Sequence, residues 1–266
     1  MPIRLDSVHI YPVKSARGCS VPQVAFDRFG PTGDRRWMLV GADTDRFVSQ
    51  RELPAMARLA VSLTGAGLSL SFEDASQDVS RPEVDAPVRR VTVWNDTLPA
   101  LDAGDEVASW LSARFDRPVR LVYMGDDTRR AVDEAYAKAG QTVSFADGFP
   151  VLLISAESLA VLNERLTIPV GLDRFRANLI VSGTSPHGED EWRTIRIGEM
   201  HFTVAKPCSR CTVPALDQHT GERHPELLRA LASYRRGADR MVYFGQNLVY
   251  EGSGGVSVGD DVEVLS

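Results

Sequence analysis

Apolar residues in this chain recur in short runs, and turn-forming residues interrupt each run before a helix of ordinary length could form. That punctuation constrains the fold more than any other feature. Ile3 and Leu5, then Val8 and Ile10, place apolar side chains on one face of a segment that stops at Pro12, as a half-buried strand requires. Val21–Phe26, Asp34–Val40, Leu59–Leu63, Leu68–Phe72 and Val88–Trp94 follow as further strands, with Phe29-Gly-Pro-Thr-Gly33 as a turn and Gly, Asp and Ser between the others. Closely spaced strands of this kind predict a meander or barrel. Asp105–Arg114 departs from the pattern, with Val107, Trp110 and Leu111 arranged as a short amphipathic helix, and Val119–Tyr123 returns to strand.

The stretch 126–147 is polar and carries little core pattern, so a domain junction is expected at or just before it. This divides the 266 residues into an N-terminal β-barrel-like domain, 1–123, and a second domain, 124–266. Beyond it, Val151–Ile154 reads as a buried strand and Ser155–Leu166 as a helix capped near Ser155, with Leu159, Leu162 and Leu166 on its inner face. Strands are expected at Asn178–Ser182, Thr194–Ile197, Met200–Lys206, Gly245–Tyr250 and Asp261–Leu265, and a helix at Pro225–Arg235. The fold class is mainly β with short helices, an α+β chain.

With 43% hydrophobic and 25% charged residues the chain can bury a substantial core, which excludes a disordered protein. A formal charge of -6 argues against nucleic acid as a partner. The N-terminus has neither a basic-then-apolar leader nor an apolar run long enough to span a bilayer, so no membrane partner is expected and the location reads as cytoplasmic.

Three cysteines are too few for a disulfide scaffold, so each is a small core residue or a chemical group. Cys208 and Cys211 lie in Lys206-Pro-Cys-Ser-Arg-Cys-Thr212, read as a loop. Three readings stand open on the residues alone. A redox dithiol would need the first thiol at a helix N-terminus, and Thr212-Val-Pro-Ala215 is a poor helix start. A zinc site would have to recruit His219 and His224. Two thiols packed under a loop would need nothing else. His187, His219 and His224 occupy polar, turn-like stretches and read as surface residues.

The company these cysteines keep is more specific. Lys206-Pro-Cys-Ser-Arg-Cys-Thr212, then Asp217-x-x-Thr-Gly221, Phe244-Gly-Gln-Asn247 and Val258-Gly-Asp-Asp-Val262 resemble, in order, the C-terminal domain of MOSC-domain proteins. Tyr11-Pro-Val-Lys-Ser-Ala-Arg-Gly18 and Asp34-Arg-Arg-Trp37 resemble the N-terminal β-barrel domain that accompanies it. The resemblance spans nearly the whole chain and extends to the mitochondrial amidoxime-reducing component and bacterial reductases of N-hydroxylated compounds.

It implies two β-barrel domains and a molybdenum-molybdopterin cofactor. Cys211 is then the thiolate ligand of the metal and the catalytic residue, a soft donor suited to a redox metal. Lys14, Ser15 and Arg35 become cofactor contacts, since a terminal phosphate dianion needs Lys or Arg beside it. The same family positions carry Arg176 and Asn178, from Phe175-Arg-Ala-Asn178, as well as Gly148, Phe149, Ser209, Arg210 and Asn247. Cys208 and Cys19 are left to packing, and Arg174 reads as a surface charge. The implied activity is reduction of N-hydroxylated small molecules such as amidoximes and hydroxylamines. The chain ends at Ser266 without a cluster of cysteines, so electrons are expected from a separate reductase, ferredoxin or cytochrome. The alternative is a carrier of the cofactor or of sulfur for other molybdenum enzymes.

Overall fold

A computed structural model describes residues 2–266. Its largest sheet has eight strands in the order Val262–Val264, Thr194–Ile197, Met200–Ser209, Tyr243–Tyr250, Val151–Ser155, Leu179–Ser182, Arg4–Ile10 and Cys19–Val21. The first strand of the chain therefore belongs to the sheet built by its second half, pairing Leu5 with Val181 and Val8 with Leu179. A β-bulge between Leu5 and Ser7 explains the broken alternation of its sequence: the extra residue lets Leu5 and Val8, three apart, both enter the core. Hydrogen bonding in this sheet thus crosses the sequence division at 123 and 124.

Most of the N-terminal half forms a second body. One sheet runs Val88–Val93, Asp96–Asp102, Val119–Tyr123, Trp37–Gly41 and Val13–Lys14, and another runs Ala60–Leu63, Gly67–Phe72 and Ala75–Ser80. Helix α1, Asp105–Phe115, covers the core with Val107, Leu111 and Phe115, which recur every fourth residue and meet Leu39, Leu59, Leu68 and Phe72. Full burial of side chains of this size contributes about 1.5–3 kcal/mol each. Trp110, expected on the same face, is only partly buried.

The polar stretch 126–147 is no bare junction. Val132, Val143 and Phe145 are buried, and Phe145 packs with Phe29, Met38 and Val122 of the N-terminal body. The packing carries the chain across to Asp147 and the strand Val151–Ser155.

On one face of the eight-stranded sheet, Leu153, Val181, Phe202 and Leu248 join Leu5 and Val8. On the other, Ile154, Ile180 and Phe244 meet Leu162 of α2, Ala156–Asn163, and Leu227 and Leu231 of α3, Glu226–Tyr234. Both helices are shorter than their sequence spans. Ser155 caps α2, its Oγ accepting from the Ser158 amide at 3.2 Å. Besides the two-residue strands Val13–Lys14 and Gly30–Pro31, three strands had no clear sequence signal: Ala75–Ser80, Asp96–Asp102 and Gly254–Ser257, the last pairing with Gln23–Asp27. They are polar, interrupted by Pro99, or glycine-rich, and one apolar face supplies most of their burial.

Candidate functional site

The expected cysteine loop begins as a strand. Met200–Ser209 continues past Lys206 and pairs Pro207 with Gln246 and Ser209 with Tyr243, with register shifts on either side of the Ala205 and Cys208 positions. A bulge there sets Cys208 out of register, and the paired strand ends after Ser209. On the neighbouring strand Gly245 has φ +80, and a Cβ at that position would lie 2.5 Å from Ile154 and 2.8 Å from the Leu153 carbonyl, so Phe244-Gly-Gln-Asn247 requires its glycine.

Beyond Cys211 the chain is held by two ties. Arg174, read from sequence as a surface charge, is buried: its Nη2 donates to Asp217 Oδ2 at 2.7 Å and its Nη1 to the Ala215 carbonyl. Gln218, 2% exposed, forms a reciprocal amide pair with the fully buried Gln50 of the N-terminal half, at 2.9 and 3.1 Å. Asp217 Oδ1 also accepts from the His219 and Thr220 amides, folding Asp217–Gly221 into a tight turn.

Lys14, Ser15, Arg35, Gly148, Phe149, Arg176, Asn178, Ser209, Arg210, Cys211 and Asn247 all line one cleft of roughly 740 Å³, its open mouth included. Cys208 lines it too, so neither thiol of the pair is confined to the core. Cys211 is exposed and Cys208 half-buried, with Arg210 Nη1 donating to Cys208 Sγ at 3.1 Å. Cys19 instead pairs with Ile10 in the large sheet and packs against its core.

The cleft is cationic by construction. Tyr11 lies buried between two guanidiniums, Arg35 at 4.5 Å and Arg176 at 4.3 Å from its ring centre, and burial pushes its hydroxyl up to about 12, so it is a neutral spacer. A Cβ at Gly18 would lie 2.3 Å from that ring, which accounts for the glycine closing Tyr11–Gly18. Asp34, 2% exposed, holds the group from below: Oδ1 accepts from the Tyr11 amide at 2.8 Å and Oδ2 from Arg35 Nη1 at 2.5 Å. Burial, with Arg35 adding repulsion, lowers the Arg176 pKa to about 10. Burial likewise brings Lys14 down to about 8, although its ammonium donates to the Phe145 carbonyl at 2.8 Å and to Asp147 Oδ1. Asp147 is enclosed by these groups, yet its side chain is 74% exposed to the cleft. The positive charges of Lys14 and then Arg35 hold its carboxyl well below the usual range.

Four cations, Lys14, Arg35, Arg176 and Arg210, thus line the cleft, with one carboxylate, Asp147, in its wall and a second, Asp34, buried beneath it. Two of their nitrogens, Arg176 Nη2 and Arg210 Nε, are buried with no hydrogen-bond partner among the described residues. Orphaned donors of charged groups are costly, and an acceptor-rich anion would relieve them. Ser15, Arg35 and Arg176 have φ of 65°, 49° and 58°, a left-handed conformation in which non-glycine residues cluster at functional sites. Asn178, expected to read a ring edge, is 1% exposed and engaged within the protein: Oδ1 accepts from Leu152 N at 3.2 Å and Arg35 Nη1 at 3.4 Å, and Nδ2 donates to the His9 carbonyl. Its position supports Arg35. Asn247 has a side-chain amide without a partner among the described residues, and Gly148 faces open space.

Sequence reasoning passed over Tyr11 as a spacer, Asp34, Asp147 and the Gln50–Gln218 pair. Tyr11, Asp34 and Asp147 adjoin residues or motifs that were singled out, which was their only signal. The histidines stay outside the cleft. His219 and His224 are exposed, while His187 is half-buried against Tyr234 and Phe244, where burial and then Arg235 lower its pKa. Among the described residues no three His, Cys, Asp or Glu side chains gather to hold a metal, so the Cys208, Cys211, His219, His224 set for zinc is not assembled.

Residues 2–118 match the MOSC N-terminal beta barrel domain, and residues 140–263 match the MOSC domain. Mitochondrial amidoxime-reducing component 1 of Homo sapiens is 30% identical over 275 residues, covering 96% of this chain and 81% of that protein. This chain is a MOSC-domain protein. The molybdenum cofactor sulfurase of Oryza sativa subsp. japonica is 32% identical over 279 residues, 94% of the MOSC chain but 33% of the sulfurase's own length. Among solved structures, the YUAD protein from Bacillus subtilis covers 98% of the MOSC chain at a TM-score of 0.44 and 14% identity. No helix of the MOSC protein, among the described residues, is long and apolar enough to cross a membrane.

Proposed function

We propose that this protein binds a molybdenum-molybdopterin cofactor and reduces N-hydroxylated small molecules, with electrons from a separate donor protein. One observation carries the reading: an exposed thiol, Cys211, and four cations with two orphaned donors line a single cleft, the set that a soft metal joined to a phosphate-bearing pterin demands. Cys211 would hold the metal; Lys14, Arg35 and Arg176 would take the phosphate, with Ser15, Ser209, Arg210 and Asn247 around the remainder and Gly148 and Phe149 closing one side. When bound, the cofactor supplies the two-electron chemistry that, with two protons, removes the hydroxyl oxygen as water.

The protein's own part is placement. Asn178 and Asp34 fix Arg35, and Tyr11 fixes Arg35 against Arg176, so the anion site is formed before the ligand arrives. Arg174 fixes the chain after Cys211 through Asp217, and Gln218 ties it to Gln50 of the N-terminal half.

The test is molybdenum and zinc content of protein made in cofactor-competent cells, alongside reduction of benzamidoxime by a chemical electron donor. Wild type is expected to carry molybdenum and turn over. Cys211→Ala should lose both, and Cys208→Ala should keep the metal. Stoichiometric zinc without molybdenum, or loss on Cys208→Ala alone, refutes the assignment. The similarity to molybdenum cofactor sulfurases favours one second reading, delivery of cofactor or sulfur to another enzyme. Molybdopterin passing from this protein to an apo-enzyme, with no benzamidoxime turnover, would select it.

A further inference from the structure

The hairpin joining Val88–Val93 to Asp96–Asp102 turns in two residues, Trp94 and Asn95, and Trp94 takes φ 55. That loop position ordinarily goes to glycine, asparagine or aspartate, because a bulky side chain is strained at positive φ. The neighbouring chain nonetheless secures the indole. Phe47 N donates to the Thr92 carbonyl at 3.0 Å and Thr92 N to the Asp45 carbonyl at 2.9 Å, which brings the Phe47 ring to 4.9 Å from that of Trp94. The Arg51 guanidinium lies 4.6 Å from the indole centre. Non-glycine residues held in this conformation cluster at functional sites. Trp94 does not line the cleft, so whatever its ring does there it does through a neighbour.

Two of those neighbours belong to the cleft wall. Trp94 Nε1 donates to Asp147 Oδ1 at 3.2 Å, and the Lys14 ammonium lies 5.7 Å from the indole centre and 5.3 Å from that of Phe47. Lys14 donates to the same Oδ1 at 2.5 Å and to the Phe145 carbonyl at 2.8 Å, so one of its three N–H groups has no partner among the described residues. Asp147 is the one carboxylate that lines the cleft among the described residues, and its Oδ2 has no partner among them. Held by Lys14 alone, so exposed a side chain could turn and set its second oxygen on Lys14 or on Arg35, whose charge already acts on it. Either contact would cancel a cation that the cleft offers an incoming anion. A second donor on Oδ1, the indole N–H, removes that freedom.

We propose that Trp94 is a positioning residue of the anion site: its N–H pins the Asp147 carboxylate, and its ring, with Phe47, covers Lys14, so that the remaining Lys14 N–H and Arg35 stay open to a phosphate- or sulfate-type dianion. This rests on the reading of the cleft as an anion site. It needs no cofactor, so it is tested on the protein alone.

Sulfate is titrated into the full chain at low ionic strength, and affinity is read from the rise in melting temperature. Trp94→Phe keeps a ring and loses the N–H; it weakens sulfate by about three- to tenfold, the effect of one hydrogen bond. Trp94→Gly removes the cover as well and weakens sulfate further. Because glycine accepts the positive φ, this variant without sulfate still melts cooperatively near the wild-type temperature, which separates lost binding from lost folding. Asp147→Asn removes the competing charge, and on that background Trp94→Phe leaves sulfate affinity unchanged, a coupling that a merely structural tryptophan would not show. Wild-type affinity in Trp94→Phe, or an equal loss with and without the Asp147 carboxylate, overturns the proposal. No sulfate response in wild type removes the anion site and the proposal with it. Absence of molybdenum refutes the cofactor reading alone and leaves the ranking of these variants as it stands.

Discussion

Lys14→Met is expected to stabilise the protein near neutral pH while destroying its anion site. Lys14 is 4% exposed, and burial lowers its pKa from 10.5 to about 8 in the folded chain. Below that value both folded and unfolded chains hold the proton, and the folded state bears the whole cost of a desolvated ammonium. Between about pH 8 and 10.5 only the unfolded chain still binds the proton, so stability rises with pH, and above this window the contribution is flat. The displacement corresponds to on the order of 3 kcal/mol near pH 7, most of which is recovered by about pH 10. Asp147, held far below this range, adds nothing to the slope. Methionine removes the cost but leaves the Phe145 carbonyl unpaired, a loss of about 1 kcal/mol. The variant should therefore gain about 1–2 kcal/mol near pH 7 and lose that advantage as pH rises. Urea unfolding of both proteins at several pH values between about 7 and 10 measures the difference directly. Thermal shifts with sulfate, a dianion that does not titrate in this range, should appear in wild type and vanish in Lys14→Met. Parallel stability curves across the window, or a variant as responsive to sulfate as wild type, would refute the reasoning.

Gln50→Leu or Gln218→Leu alone should cost about 1–3 kcal/mol, because each strands the other's buried amide, whereas the double variant recovers part of the loss. A double-mutant cycle by urea unfolding checks this, and strictly additive losses would contradict it. Asp217→Ala leaves Arg174 buried without its carboxylate and should destabilise by about 2–4 kcal/mol. In the same variant Cys211 should react faster with a disulfide reagent than in wild type; an unchanged rate would mean that the tie does not hold the cysteine segment.

Much of the β architecture was readable because short alternating runs bounded by turn residues permit little else, and α1 was readable because Val107 and Leu111 lie one helical turn apart. What escaped has a common physical cause. Asp96–Asp102 and Ala75–Ser80 are held by backbone pairing and a few inward side chains, so their own residues advertise a loop. In 126–147 the buried residues are scattered among charges with no period, since each meets a different neighbour of an irregular path. Arg174 looked like any exposed arginine because its partner, Asp217, lies forty-three residues away.

The amino-acid sequence by itself determined the strand-rich class, the family, and many of the residues that line the cleft, though not Asp147 or Cys208: the motif positions carry their chemistry wherever they sit. Only the tertiary structure decided how those residues divide the work. It joined the first strand to the sheet of the second half, which brings Tyr11, Lys14 and Ser15 to Arg176 and the cysteines. It committed the Asn178 amide to Arg35, and it left Asp147 with one bound and one free oxygen. Burial and pairing depend on atoms distant in the chain, and a side chain's charge, reach and vacant hydrogen bonds follow from those neighbours.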